Sequence, residues 1–230
     1  MQAEDPKLDI STFLITSVHD MKNSMGVMMA YLQDALTERN SLPPATRDKT
    51  TQALYEAQRV TDHLLQLLAL YKIDQEFYPF DPQDHPLADL AQEALARVMD
   101  LADLKGISLD CHCPDELYGW IDHELVFGVL VQALHNALRY AHGQVLLSLA
   151  GGDDGIRISV EDDGPGYPDF LLAQGDGRTR GISFETGSTG LGLYFAGVVA
   201  ALHRNGQRAG RIRLVNGGTL GGGVFTLELP

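Results

Sequence analysis

Cysteine is nearly absent from this 230-residue chain, which has only Cys111 and Cys113. They sit in Ile107-Ser-Leu-Asp-Cys-His-Cys113, where Ile107, Leu109, Cys111 and Cys113 alternate onto one face of a strand. That spacing argues against a zinc site, because His112 would point to the opposite face and no fourth ligand is near. Two core thiols are expected instead. Long apolar runs are missing too. None approaches the roughly 18–20 residues that span a bilayer, and Met-Gln-Ala-Glu-Asp-Pro at the start lacks the apolar stretch of a signal peptide. A cytoplasmic protein, or the cytoplasmic piece of a longer one, is expected. Basic residues are scarce, with 17 Lys+Arg against 31 Asp+Glu and a net charge of −14. This balance argues against broad binding to nucleic acid or anionic membrane. Any anionic ligand must be held by local donors and a metal.

What is present suffices for two small domains, since 44% of the residues are hydrophobic. Residues 1–78 read as a helical hairpin. Leu14, Val18, Met21, Met25, Met28, Leu32 and Ala35 recur at alternating four- and three-residue intervals, the seam of a coiled-coil-like helix. Ser41-Leu-Pro-Pro44 breaks it. Leu54, Ala57, Thr61, Leu64, Leu68 and Tyr71 then form a second seam. Two amphipathic helices on a short connection fold back antiparallel, and a single hairpin leaves an apolar face bare. Pairing two copies into a four-helix bundle covers that face, so a homodimer is expected. His19 follows seam residue Val18 and faces outward. Asp20 is next to it, and Asn23 lies one turn on along the same face.

Residues 79–230 read as one α+β domain, a mixed sheet with helices over one face. Pro79 to Pro86 is proline-dense and predicts a linker. Helices are expected over 87–104, 123–140 and 191–203, and strands near 107–113, 145–150, 156–161, 211–215 and 224–228. Three segments carry chemistry. Gln132-Ala-Leu-His-Asn136-Ala-Leu-Arg139-Tyr140 offers a hard amide oxygen suited to Mg²⁺, with a guanidinium one turn away. Ile158-Ser-Val-Glu-Asp162-Asp-Gly164-Pro-Gly166 ends a strand in a carboxylate followed by close-approach glycines. That carboxylate can accept from an adenine amino group. Gly187-Ser-Thr-Gly190-Leu-Gly192 opens an apolar helix, and a glycine-rich helix start binds anions. It is not a P-loop, because Gly-Lys-[Ser/Thr] is missing. Each piece alone has an ordinary structural explanation. Their order, downstream of His19, does not.

Ser17-Val-His-Asp-Met-Lys-Asn23 resembles the phospho-acceptor box of sensor histidine kinases, and the three later segments resemble the nucleotide boxes of the histidine-kinase ATPase domain. The resemblance covers essentially residues 10–230. It implies an all-α dimerisation and histidine-phosphotransfer hairpin over 1–78 and a Bergerat-type catalytic ATP-binding domain over 79–230. It further implies His19 as nucleophile, Asp20 as its base, and Asn23 as the residue that positions water when a partner is dephosphorylated. Asn136 would bind Mg²⁺, with Arg139 and Tyr140 flanking the phosphates of ATP. Asp162 would read adenine in a pocket shaped by Gly164 and Gly166, and Gly190 and Gly192 would cradle phosphate. Residues 167–186 would form a lid, with Arg178 and Arg180 near phosphate. The expected partner is a response-regulator receiver domain. The competing expectation is a phosphotransfer adaptor whose ATPase-like domain no longer binds ATP. Gln132 stands where the family often has Asn, Ser24 where it often has Pro, and Ser188 where it has Gly.

Overall fold

The computed structural model describes residues 10–37, 42–152, 154–173 and 190–230. The chain divides into two compact units, residues 1–78 and 79–230.

The first unit is two packed helices, α1 (Ile10–Thr37) and α2 (Pro44–Asp74). Helix α2 starts with Pro44 in its first turn, where the missing N–H costs no hydrogen bond. Ser24 does not interrupt α1, and its hydroxyl donates to the Asp20 carbonyl at 3.0 Å. Val18, Leu54, Tyr55, Ala57, Thr61 and Gln66 are buried, whereas Met21, Val27, Met28, Tyr31, Val60, Leu65 and Leu67 are exposed. The hairpin thus buries part of its apolar surface and leaves a large part bare.

In the second unit, five strands form one sheet in the order β2 (Ser108–His112), β4 (Gln144–Gly152), β5 (Gly155–Asp162), β9 (Gly223–Leu229) and β8 (Arg211–Asn216). The β2–β4 pair is parallel and the rest antiparallel. Helices α3 (Leu87–Lys105), α4 (His123–Tyr140) and α6 (Leu191–Leu202) pack on this sheet and on each other. Alternation assigns the faces. Leu147, Val160, Phe225 and Leu214 are aligned across four strands on the core side, followed by Leu149, Ile158, Leu227 and Ile212. Between these positions Arg157, Ser159, Thr226, Glu228, Arg211 and Arg213 point the other way. Leu130, Leu134 and Leu138 run along the buried face of α4, and each such side chain contributes about 1.5–3 kcal/mol.

Helix α4 starts at Asp122, whose carboxylate accepts from Leu125 N at 3.1 Å and from Asp81 N at 3.3 Å. The Asp122 N–H donates to Nε2 of buried His203 at 3.0 Å, and His203 Nδ1 lies 2.8 Å from the Val199 carbonyl. This neutral ring therefore joins the start of α4 to the end of α6. Burial lowers its pKa, although the Val199 carbonyl and Asp122 oppose the shift.

Two sequence expectations need correction. The proline-dense segment is only partly a linker, because Gln83–Pro86 forms strand β1 against β3 (Tyr118–Ile121). Pro86 is tolerated because β1 pairs with β3 alone and needs no second row of hydrogen bonds. The two thiols are not core groups. Cys111 is exposed and Cys113 only half-buried, because β2 is an edge strand. Periodicity gave β2 a buried face, but edge position decides how much of that face is covered. Short helix α5 (Asp169–Leu172) and the hairpin of β6 (Arg204–Asn205) and β7 (Arg208–Ala209) lie between the expected elements.

Candidate nucleotide site and phospho-acceptor

Asp162 closes β5, opposite Val145, and alternation places it on the helix side with Ile158 and Val160. It is 7% exposed. Its Oδ1 accepts from Gly164 N at 2.8 Å and from Gly223 N at 3.3 Å. The Asp162 carbonyl accepts from Gly222 N at 3.0 Å. Backbone donors from two loops thus aim one carboxylate, and Oδ2 has no hydrogen-bond partner among the described residues.

Both expected close-approach glycines are required. A Cβ on Gly164 would lie 2.4 Å from the Tyr140 carbonyl oxygen, so the end of α4 passes directly against this turn. Gly166 has φ +79°, and a Cβ there would lie 2.6 Å from Asn216 Oδ1. Asp163, beside Asp162, ties the same two elements. Its Oδ1 accepts from His142 N at 2.8 Å and Gly143 N at 3.1 Å. Slight desolvation pushes this carboxyl up, but the main-chain donors around it outweigh that and hold its pKa below the usual value.

Asn136 lies half-buried on α4, and its amide has no hydrogen bond among the described residues. One turn on, Arg139 and Tyr140 are exposed, with the guanidinium carbon 5.5 Å from the Tyr140 ring centroid. Gly190 caps α6 in a left-handed conformation (φ +59°) facing open space. Gly192 is close-packed, unlike Gly190. A Cβ there would lie 2.8 Å from the Gln132 side chain, so this glycine lets α6 pack against α4. Arg178, Arg180, Gly187 and Ser188 lie outside the described residues.

The sequence did not single out Asn216, and it pointed to Gly221–Gly223 only as the start of a last strand. Asn216 Oδ1 accepts from Tyr167 N at 2.7 Å, and its Nδ2 donates to the Tyr167 carbonyl at 2.8 Å. Tyr167, the first residue of the expected lid, is packed beside Asp162. Burial, with Asp162 and Tyr140 nearby, pushes its phenol pKa far up. The available signal was the Asn-Gly-Gly turn before the last strand.

In the first unit His19, Asp20 and Asn23 are all exposed on α1. Asn23 Nδ2 lies 3.2 Å from His19 Nδ1. The amide therefore touches the ring itself, a contact its expected water-holding role does not require. The Asp20 carboxylate has no partner among the described residues. His63 is half-buried, and desolvation followed by Arg59 lowers its pKa.

The donor set fits a purine nucleotide: one buried carboxylate with a spare acceptor oxygen, a glycine turn against it, an uncommitted amide on α4 and an open helix start. Residues 121–230 match the family described as histidine kinase-, DNA gyrase B-, and HSP90-like ATPase. Over its wider length the chain is similar to sensor histidine kinases. It is 25% identical over 226 residues to sensor histidine kinase RppB of Synechocystis, covering 95% of this chain and 48% of RppB. It is 30% identical over 177 residues to sensor histidine kinase CpxA of Escherichia coli, covering 70% of this chain and 37% of CpxA. The chain thus spans about half, or less, of these relatives. Full-length ShkA in complex with AMPPNP shares the fold, with a TM-score of 0.62 at 22% identity, covering 95% of this chain and 45% of ShkA. Among the described residues no helix is long and apolar enough to cross a membrane.

Proposed function

We propose that this chain is the core of a sensor-type protein-histidine kinase, which uses ATP to phosphorylate His19 and passes the phosphoryl group to a response-regulator aspartate. The observation that carries the nucleotide half is Asp162, buried and aimed by two backbone donors, with Oδ2 left to accept from the adenine amino group. Asn136 would hold Mg²⁺ through its amide oxygen, a hard ligand suited to that ion. Mg²⁺ held there would supply charge neutralisation for phosphoryl transfer. Arg139 and Tyr140 flank the phosphates, and the open start of α6 at Gly190 offers main-chain donors.

His19 meets the needs of the acceptor, being exposed and flanked by a free carboxylate. Its Nε2 attacks the γ-phosphorus, the bond to the β,γ-bridging oxygen breaks, ADP leaves, and Asp20 takes the ring proton. Asn23 Nδ2 donates to Nδ1 of the neutral ring, which puts the ring proton on Nε2, and Asp20 takes it from there as that nitrogen attacks. In dephosphorylation of a partner the same amide holds the attacking water. The bare apolar residues of α1 and α2 support homodimerisation through the hairpin, and use of ATP supports a cytoplasmic location.

The test is incubation with γ-labelled ATP and Mg²⁺. Label stable to base and labile to acid is expected in the wild type and absent from His19→Gln, which still binds nucleotide. Persistent label in that variant, on His63 or His85, would overturn the assignment. A phosphotransfer adaptor without ATP binding would show neither label nor nucleotide affinity.

A further inference from the structure

We propose that Asn216 is a positioning residue for base recognition, holding the adenine-reading carboxylate in register through Tyr167; this rests on the nucleotide site proposed above. Asn216 ends β8, on the far side of β9 from Asp162 and 54 residues later in the chain. Its amide engages Tyr167 twice, accepting from the N–H at 2.7 Å and donating to the carbonyl at 2.8 Å. Both main-chain groups of one residue are thus satisfied by one side chain, as a neighbouring strand would satisfy them. The same amide fills the space a Gly166 side chain would need. It therefore fixes the turn that follows Asp162 from outside that turn.

Two further contacts bring this clamp to the carboxylate. A Cβ placed on Gly223 would lie 3.0 Å from Asp162 Oδ2 and 3.0 Å from Tyr167 Cε2, so the ring edge and the reading oxygen border the same small space. Asn216 also opens the loop that returns Gly222 N to the Asp162 carbonyl and Gly223 N to Oδ1, and Gly217 N closes this loop on the Gly222 carbonyl. Asp162 is thus held by a loop that Asn216 starts and flanked by a ring whose backbone Asn216 clamps. Without the amide, two main-chain groups lose their partner, the ring edge is released, and Oδ2 no longer keeps one direction.

A carboxylate that wanders still attracts cations, but it discriminates poorly between an amino group and a carbonyl on the base. The readout is therefore the ratio of ADP to inosine diphosphate affinity, measured by calorimetry on the full chain. Inosine carries a carbonyl where adenosine has its amino group. Wild type is expected to prefer ADP, and Asn216→Ala to lower that ratio about tenfold, the worth of one well-aimed hydrogen bond. A general loss of folded protein would scale both affinities together and leave the ratio unmoved. Asn216→Asp keeps the acceptor for Tyr167 N and loses the donor to its carbonyl, so a drop of about threefold is expected; it decides the matter if the alanine variant does not fold. A wild-type ratio in a folded variant overturns the positioning role. Failure of the wild type to bind ADP overturns the nucleotide site itself, and the positioning role with it.

Discussion

Replacing Asp162 with Asn tests the adenine reading at a single atom. Oδ1 is committed to two main-chain donors, Gly164 N at 2.8 Å and Gly223 N at 3.3 Å. An Asn at this position must turn its own oxygen to those donors, because the opposite orientation sets an NH₂ against two N–H groups. The amide nitrogen then occupies the place of Oδ2 and faces the adenine amino group, donor against donor. What is lost is a hydrogen bond to a charged acceptor, about 1.5–3 kcal/mol. ADP should therefore bind about ten- to a hundredfold more weakly. The fold should survive, since both main-chain donors keep an acceptor and the shape is unchanged. Calorimetric titration with ADP gives the affinity, and a thermal melt by circular dichroism gives the stability. A variant that melts like wild type and binds ADP within about twofold of it would remove Asp162 from the pocket.

Asn136→Ala should abolish Mg²⁺-dependent ATP use while leaving the oligomeric state untouched, because it lies on α4 in the second unit; unchanged labelling of His19 would refute the metal assignment. The segment 1–78 alone should be strongly helical and dimeric in light scattering at micromolar concentration, since Met21, Met28, Leu65 and Leu67 are left bare; a monomer would count against the bundle. Acid should loosen the second unit through His203. Its folded pKa lies below the ordinary 6.5, so the unfolded chain binds the extra proton first. The neutral ring's contribution is complete above pH 6.5 and falls away as pH drops toward the folded pKa. Thermal melts stepped from pH 7.5 to pH 5 should show a smaller loss in His203→Gln than in wild type, and equal losses would exclude this ring as the cause.

Long periodic segments were legible because one residue type repeats on one face. Helix α4 was expected over 123–140 and spans His123–Tyr140. Strand β5 was equally clear, its alternation running into Asp162. Strands β1 and β3 were not, since four residues carry little pattern and prolines argue for a turn. Exposure at Cys111 depended on edge position in the sheet, which follows from topology and not from local period. In the site, the sequence pointed to Asp162, Gly164 and Gly166 because they are contiguous. Asn216 was invisible because its partner Tyr167 lies 49 residues earlier. The approach of Gly192 to Gln132 across the helix pair is likewise a contact that no spacing within one segment reveals.

Among the described residues, strand β8 forms one border of the five-stranded sheet, with no further strand beside its six residues. Such a border invites another chain to add itself and grow an aggregate. Here Arg211 and Arg213 alternate on the uncovered face of that strand, and Glu228 of β9 neutralises only one positive charge, with Arg211 Nε 2.6 Å away. A second β8 arriving antiparallel would bring arginines opposite or diagonal to arginines, which is repulsive. An otherwise acidic domain thus carries basic residues along β8, a border of its sheet where they would disfavour pairing between identical copies.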